Sequence, residues 1–223
     1  MNLAVIFDMD GVLIDSQPLH YEVDIAILKR CGVEANLATV SKYTGIGNPE
    51  RLPKYKEDFE LSQEPEELTE IWEEVSAEVF ERANLQPIAG VETLIAGIKA
   101  MGIKIGLASN SPPALIELVL AKTGLTFDFT VSGEDVTEGK PAPDIYLAAA
   151  KKAGVEPTLC VAIEDSEAGI ESAKAAGCVC VAYKNPNTLG QDISRADYNT
   201  RNFDDCFPII KTMFFRSVTG TLT

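Results

Sequence analysis

Leu3-Ala4-Val5-Ile6-Phe7 runs directly into Asp8-Met9-Asp10-Gly11-Val12, and the reading of this junction decides the fold. Five consecutive apolar residues this early in the chain read as a strand buried on both faces, the habit of a parallel sheet. Asp8 and Asp10 then stand where the strand emerges at its C-terminal edge, where open α/β sheets bind ligands. Residues two apart on an extended backbone point the same way, so the two carboxylates face one small volume while Met9 turns aside. Crowded carboxylates attract a divalent cation or split their pKa values. Gly11 permits the sharp departure of the backbone that follows. A solvated Asp-Gly turn would explain this junction taken alone, so the decision rests on the remainder of the chain.

From about Gly90 onward helix and strand patterns alternate. Val91 to Met101, Ala114 to Thr123, Asp144 to Ala153 and Ser166 to Ala176 read as helices closed by Gly102, Gly124, Gly154 and Gly177. A strand follows each after a short turn or loop. This repeat predicts the α/β class with a doubly wound parallel, Rossmann-like sheet into which Leu3 to Phe7 inserts. The stretch between must then be an excursion. Ser16 is placed to cap a helix with Pro18 in its first turn and Leu19, Val23, Ala26, Ile27 and Arg30 on one face, ending near Gly32. A second, Glu-rich helix is predicted over Ser62 to Ala83, with Leu68, Ile71, Trp72, Val75, Val79 and Phe80 on one stripe. No strand pattern of comparable strength lies between them. The expected organisation is an α/β core of residues 1–15 and 85–223 with an inserted all-helical domain over residues 16–84. The crossings near Ile14-Asp15-Ser16 and Asn84 to Pro87 are its natural hinges, and the polar tail beyond Phe215 is expected to fray.

Polar residues recur at later strand ends. Ile103-Lys104-Ile105-Gly106-Leu107-Ala108 ends in Ser109-Asn110-Ser111, and Leu159-Cys160-Val161-Ala162-Ile163 ends in Glu164-Asp165-Ser166. Between them Gly139-Lys140-Pro141-Ala142-Pro143-Asp144 presents one lysine on a proline-stiffened loop. On these residues the chain resembles the haloacid dehalogenase superfamily of phosphatases, whose four motifs stand in order as Asp8-Met9-Asp10-Gly11, Ser109, Lys140 and Glu164-Asp165. The longer stretches Asp10 to Ser16, Gly139 to Asp144 and Ile163 to Ile170 resemble its β-phosphoglucomutase-like and sugar-phosphate phosphatase branch. Four spaced elements in the right order are far more specific than any one of them.

The resemblance implies a Mg²⁺-dependent phosphatase acting on a small phosphorylated metabolite, with the helical insertion as a cap. Asp8, the first residue beyond the strand and so rigidly held, is the candidate nucleophile that forms an aspartyl-phosphate. Asp10 is the general acid for the leaving alcohol and then the general base for water. A carboxylate attacking a phosphate dianion is repelled, so the site must neutralise charge before reaction. The implied Mg²⁺ ligands are the Asp8 side chain, the Asp10 backbone carbonyl and Asp165, with Glu164 as an additional or water-mediated ligand. Lys140 contacts the phosphoryl oxygens and the nucleophile. Ser109 and the backbone N–H groups of Asn110 and Ser111, together with Gly11, are the phosphate-binding set. His20, early in the first cap helix, is implied to couple cap closure to Asp10 and completes the substrate-binding residues.

Within the family the rival is a phosphomutase, which returns the phosphoryl group to the sugar. The mutase branch places a lysine before the Gly of its cap specificity loop and an arginine three residues after it, where Thr44-Gly45-Ile46-Gly47-Asn48 offers Thr44 and Asn48. Arg51 could substitute only through a rearranged loop, and the basic residue expected on the last cap helix falls at Glu73-Glu74. A non-catalytic phospho-accepting receiver needs neither Asp10 nor a helical insertion, and carbon–halogen displacement needs neither Asp10 nor Mg²⁺.

The chain has 223 residues and a formal net charge of −15 with pI near 4.5, which argues against nucleic acid or an anionic membrane as partner. Apolar stretches are strand-length and interrupted, and no basic region leads into an apolar signal segment, so a cytoplasmic protein is expected. A monomer or weak homo-oligomer with a small-molecule substrate fits this composition. Five cysteines without regular spacing fit a reducing compartment, and with His20 as the only histidine Cys178 and Cys180 read as buried thiols on one strand face.

Overall fold

The computed structural model describes residues 3–44, 46–188 and 190–219, so Gly45 of the loop compared with the mutase branch lies outside the described residues, as does the end of the tail. Contacts divide the chain into two units, Met1–Asp15 with Gln86–Thr223 and Ser16–Leu85.

The first unit begins with β1 (Ala4–Phe7), every residue of which is buried. The chain then enters the second unit, a set of helices formed by α1 (Gln17–Arg30), α2 (Leu37–Val40), α3 (Asn48–Asp58) and α4 (Pro65–Arg82). It returns as α5 (Val91–Ala100), β2 (Lys104–Ala108), α6 (Pro113–Thr123), β3 (Phe129–Val131), α7 (Asp144–Ala153) and β4 (Cys160–Glu164). α8 (Glu167–Ala176), β5 (Val179–Tyr183), β6 (Tyr198–Thr200) and α9 (Cys206–Thr219) complete it. Among the described residues the six strands form one parallel sheet in the order β3-β2-β1-β4-β5-β6.

Burial explains why these short segments are strands. Ala4, Ile6, Ala108, Val131, Cys160, Ala162, Cys180 and Ala182 form one core with Ile145, Tyr146, Ala149 and Ala150 of α7 and Ile170 and Ala173 of α8. The alternate residues Val5, Phe7, Ile105, Leu107, Val161, Ile163 and Val181 are buried as well, so both faces of the sheet are covered. The doubly wound α/β architecture follows. The small residues on the α7 and α8 side let those helices approach closely. Cys178 lies one residue before β5 rather than within it, yet shares this core with Cys160 and Cys180, and all five cysteines are free.

Helix boundaries follow the glycines. α6, α7 and α8 close on Gly124, Gly154 and Gly177 at φ of 70°, 74° and 90°, a left-handed conformation that a Cβ would strain. Ser166 is the cap of α8 rather than its first residue, accepting from the Gly169 N–H at 3.1 Å.

The helical unit departs from expectation in three places. Ser16 occupies the cap position of α1 with its own backbone in the helical region, so its hydroxyl makes no capping bond. The buried face of α1 is Val23, Asp24, Ile27 and Leu28, while Arg30 is turned out to donate to Glu74 and Glu78 of α4 at 2.8 and 2.7 Å. α3 was not foreseen, because Pro49 and Pro53 both interrupt a helical reading. Pro49 sits harmlessly in its first turn, and Pro53 forfeits one hydrogen bond that burial of Leu52 and Tyr55 offsets. Tyr55 packs edge-on to Tyr43 with centroids 4.7 Å apart. No helix among the described residues is long and apolar enough to cross a membrane.

Candidate active site

The strand order reverses at β1 and β4, which lie side by side with Phe7 opposite Ile163. The crevice beyond the carboxyl ends of such a pair is where open α/β sheets place ligands. Asp8 follows β1 directly, and its N–H still donates to the Ile163 carbonyl at 3.0 Å, so the sheet holds its backbone. Glu164 is the last residue of β4 and Asp165 the next. Carboxylate oxygens of Asp8, Glu164 and Asp165 lie within 4.8 Å of one another, and all three residues are buried.

One ammonium enters this acidic group. Lys140 Nζ donates to Asp8 Oδ1 at 2.5 Å, Glu164 Oε1 at 2.7 Å and the Ala108 carbonyl at 2.9 Å, with a side chain only 5% exposed. Its backbone is fixed by Asn110, whose side-chain oxygen accepts from the Lys140 N–H at 2.9 Å and whose amide donates to the Lys140 carbonyl at 3.2 Å. The side chain of Asn110 thus locks the lysine loop to the end of β2. Ser109 is buried, and its hydroxyl oxygen accepts from the Ser111 N–H at 3.1 Å. The Ser111 hydroxyl donates to Asp10 Oδ2 at 3.1 Å, tying the half-buried second aspartate to the same strand end.

Glu164 is wholly buried, and both its oxygens are engaged. Oε1 accepts from Lys140 and from the Tyr146 hydroxyl at 2.6 Å, while Oε2 accepts from the Asp165 N–H at 3.2 Å and the Ser166 hydroxyl at 3.3 Å. A Cβ on Gly169 would stand 2.1 Å from this carboxylate, and one on Gly11, at φ +74°, would stand 1.9 Å from Asp165 Oδ2. Both glycines are required by space. Gly169→Ala is expected to lower the unfolding free energy by about 1–3 kcal/mol despite the better helix propensity of Ala, because Glu164 is pinned by its four partners. Urea unfolding measures it, and an equal or higher stability would show that the carboxylate yields freely.

Electrostatics mark the group as short of positive charge. Burial raises Asp8 well above the ordinary carboxylate range, against the pull of Lys140 and with Glu164 adding to the rise. Burial, with Glu164 beside it, pushes Asp165 up to about 7. Burial works to lower Lys140, but Asp8 and Glu164 outweigh it and hold the ammonium above its usual value. Three buried carboxylates with one ammonium form a donor set of hard oxygens that fits a divalent cation.

The structure therefore brings together Asp8, Asp10, Gly11, Ser109, Asn110, Ser111, Lys140, Glu164 and Asp165. His20 belongs to the other unit, where its ring lies 5.6 Å from that of Phe80. Sequence reasoning overlooked Tyr146, Gly169, Asn185 and Thr188. Thr188 Oγ1 donates to Asp165 Oδ2 at 2.8 Å, and Asn185 Nδ2 to the Gly11 carbonyl at 3.0 Å.

A buried acidic group with one lysine, at the switch point of a parallel sheet, is the arrangement of an α/β protein with a ligand crevice suited to a cation and an anion. The family model for haloacid dehalogenase-like hydrolases matches residues 3–177, and the chain belongs to that family. It is 35% identical over 176 residues to the phosphorylated carbohydrates phosphatase of Thermotoga maritima, covering 78% of this chain and 81% of that one. It is 34% identical over 193 residues to hexitol phosphatase B of Escherichia coli, covering 78% and 80%. The crystal structure of β-phosphoglucomutase from Clostridium difficile superposes with a TM-score of 0.79 at 26% identity, covering 98% of this chain and all of that one. The phosphatases among these relatives place the chain with the phosphoric monoester hydrolases.

Proposed function

We propose that the protein is a Mg²⁺-dependent phosphatase that hydrolyses a small sugar phosphate through an aspartyl-phosphate on Asp8. The observation that carries this reading is the placement of Asp8: fixed by the sheet, with the Lys140 ammonium 2.5 Å from its carboxylate and Asp165 beside it. Attack by a carboxylate on a phosphate dianion is repulsive until charge is neutralised. Lys140 supplies part of that neutralisation and steers the carboxylate. Asp8, Asp165 and the Asp10 carbonyl would hold Mg²⁺, whose charge would supply the remainder, with Glu164, shared with Lys140 and Tyr146, as an additional or water-mediated ligand. Asp10, oriented by Ser111, gives a proton to the leaving alcohol and later takes one from water. Ser109 and the Asn110 N–H bind the phosphoryl oxygens.

In this reading residues 16–84 form the cap, His20 answers its closure, and the enzyme works in the cytoplasm as a monomer or weak homo-oligomer without nucleic-acid or membrane partners. The helical unit bears on the choice between phosphatase and phosphomutase. Its Arg51 is buried, with Nη1 3.3 Å from Asp24 Oδ2 and Nη2 donating to Asn48 Oδ1, so its charge is already paired within the unit. Thr44 and Asn48 bring no charge to the matched loop positions. A mutase must retain and reorient a doubly phosphorylated intermediate, a task for free cations. Incubation with β-glucose 1-phosphate and catalytic bisphosphate, followed by phosphorus NMR, is expected to show inorganic phosphate without a bisphosphate requirement. Clean conversion to glucose 6-phosphate would replace the phosphatase by the mutase.

A further inference from the structure

The segment after β5 grips two points of the site and the end of the first stretch of the α/β unit. Asn185, 5% exposed, donates through Nδ2 to the Gly11 carbonyl at 3.0 Å, and its own Oδ1 accepts from the Asn187 N–H at 2.8 Å. Asn187 Nδ2 donates to Asp15 Oδ2 at 2.5 Å, at the last residue before the chain leaves the α/β unit. Thr188 Oγ1 donates to Asp165 Oδ2 at 2.8 Å. That same oxygen is the one a Cβ on Gly11 would strike, so Asp165 Oδ2 is enclosed between the Gly11 turn and the Thr188 hydroxyl.

A carboxylate attached by two rotatable bonds does not choose an orientation by itself. A hydrogen bond to one oxygen fixes the plane of the carboxylate and with it the direction of the other oxygen. Asn185 contributes at the opposite wall by fixing the Gly11 turn against which that carboxylate rests. We infer that Thr188 is a positioning residue for metal binding that orients Asp165 against the Gly11 turn. This rests on the reading of Asp165 as a metal ligand. Partners that orient a ligand in this manner typically change metal affinity by about 10–100-fold when removed.

The experiment compares Mn²⁺ binding, followed by electron paramagnetic resonance of the free ion, in the wild type, Thr188→Val and Thr188→Ser. Val matches the shape of Thr and lacks the hydroxyl, whereas Ser keeps it. Thr188→Val is expected to raise the Mn²⁺ dissociation constant about 10–100-fold, and Thr188→Ser to restore most of the loss. Phosphate release at saturating Mg²⁺ should then recover in Thr188→Val more fully than at limiting Mg²⁺, with the substrate KM little changed. A wild type that binds Mn²⁺ and a Thr188→Val variant that binds it equally well would overturn the inference and leave the metal reading standing. A wild type that binds no Mn²⁺ would overturn both.

Discussion

Asp8→Asn is expected to abolish phosphate release, by about 10⁴-fold or more, while leaving the fold intact. The amide is close to isosteric with the carboxylate, and the Asp8 N–H to Ile163 bond that seats the residue belongs to the backbone. Lys140 keeps Glu164 and the Ala108 carbonyl as partners, so the substitution does not strand its charge. Burial already pushes the wild-type carboxyl toward its neutral form in the absence of further positive charge, and a neutral amide is tolerated there for the same reason. What the amide cannot do is attack phosphorus and carry the phosphoryl group. Phosphate release and acid-quenched labelling with radioactive substrate measure the two halves of the claim. Near-normal turnover by the variant would remove Asp8 as nucleophile, and a wild type indifferent to excess chelator would remove the metal.

The features of this site that could be read in advance are those encoded by neighbours in the chain. Leu3 to Phe7 reads as a buried parallel strand once the later helix and strand repeat is seen, and β1 over Ala4–Phe7 puts Asp8 at its carboxyl end. Gly124, Gly154 and Gly177 announced three helix ends because only glycine accepts their left-handed backbone without strain. Glu164 and Asp165 were placed correctly at a strand end for the same local reason, but the partners of Glu164 were invisible. Tyr146 reads as one more apolar position on α7, and only folding of the sheet turns its hydroxyl onto β4. Thr188 and Asn185 lie in a loop whose sequence has no periodicity to interpret. Their meaning comes from contacts with Asp165 and Gly11, 23 and 174 residues away. α3 was hidden by two prolines whose cost is offset by tertiary burial, a term that no local pattern contains. Ser111 was legible as a residue before a helix, yet the target of its hydroxyl, Asp10, lies 101 residues earlier.

Asp10→Asn separates acid–base chemistry from binding. In the proposed reaction the residue donates a proton to the leaving alcohol and withdraws one from water, and neither act is required to hold the substrate. General acid–base catalysis is typically worth about 10²–10⁴-fold, so kcat for a sugar phosphate should fall by that amount with KM changed by only a few fold. Asn preserves an oxygen that can accept from Ser111, and the backbone carbonyl of residue 10 is retained, so the phosphate and metal contacts persist. The two proton transfers can be told apart by the leaving group. p-Nitrophenolate departs without protonation, and the first step should therefore survive the substitution with that ester far better than with a sugar phosphate. Water attack on the aspartyl-phosphate still lacks its base. Rapid mixing of the variant with p-nitrophenyl phosphate is expected to give a burst of about one p-nitrophenol per enzyme followed by a slow phase, with phosphate release limited to the slow phase. An unchanged kcat accompanied by a weaker KM would make Asp10 a binding group, and equal losses with both substrates and no burst would assign it to the chemistry of neither proton.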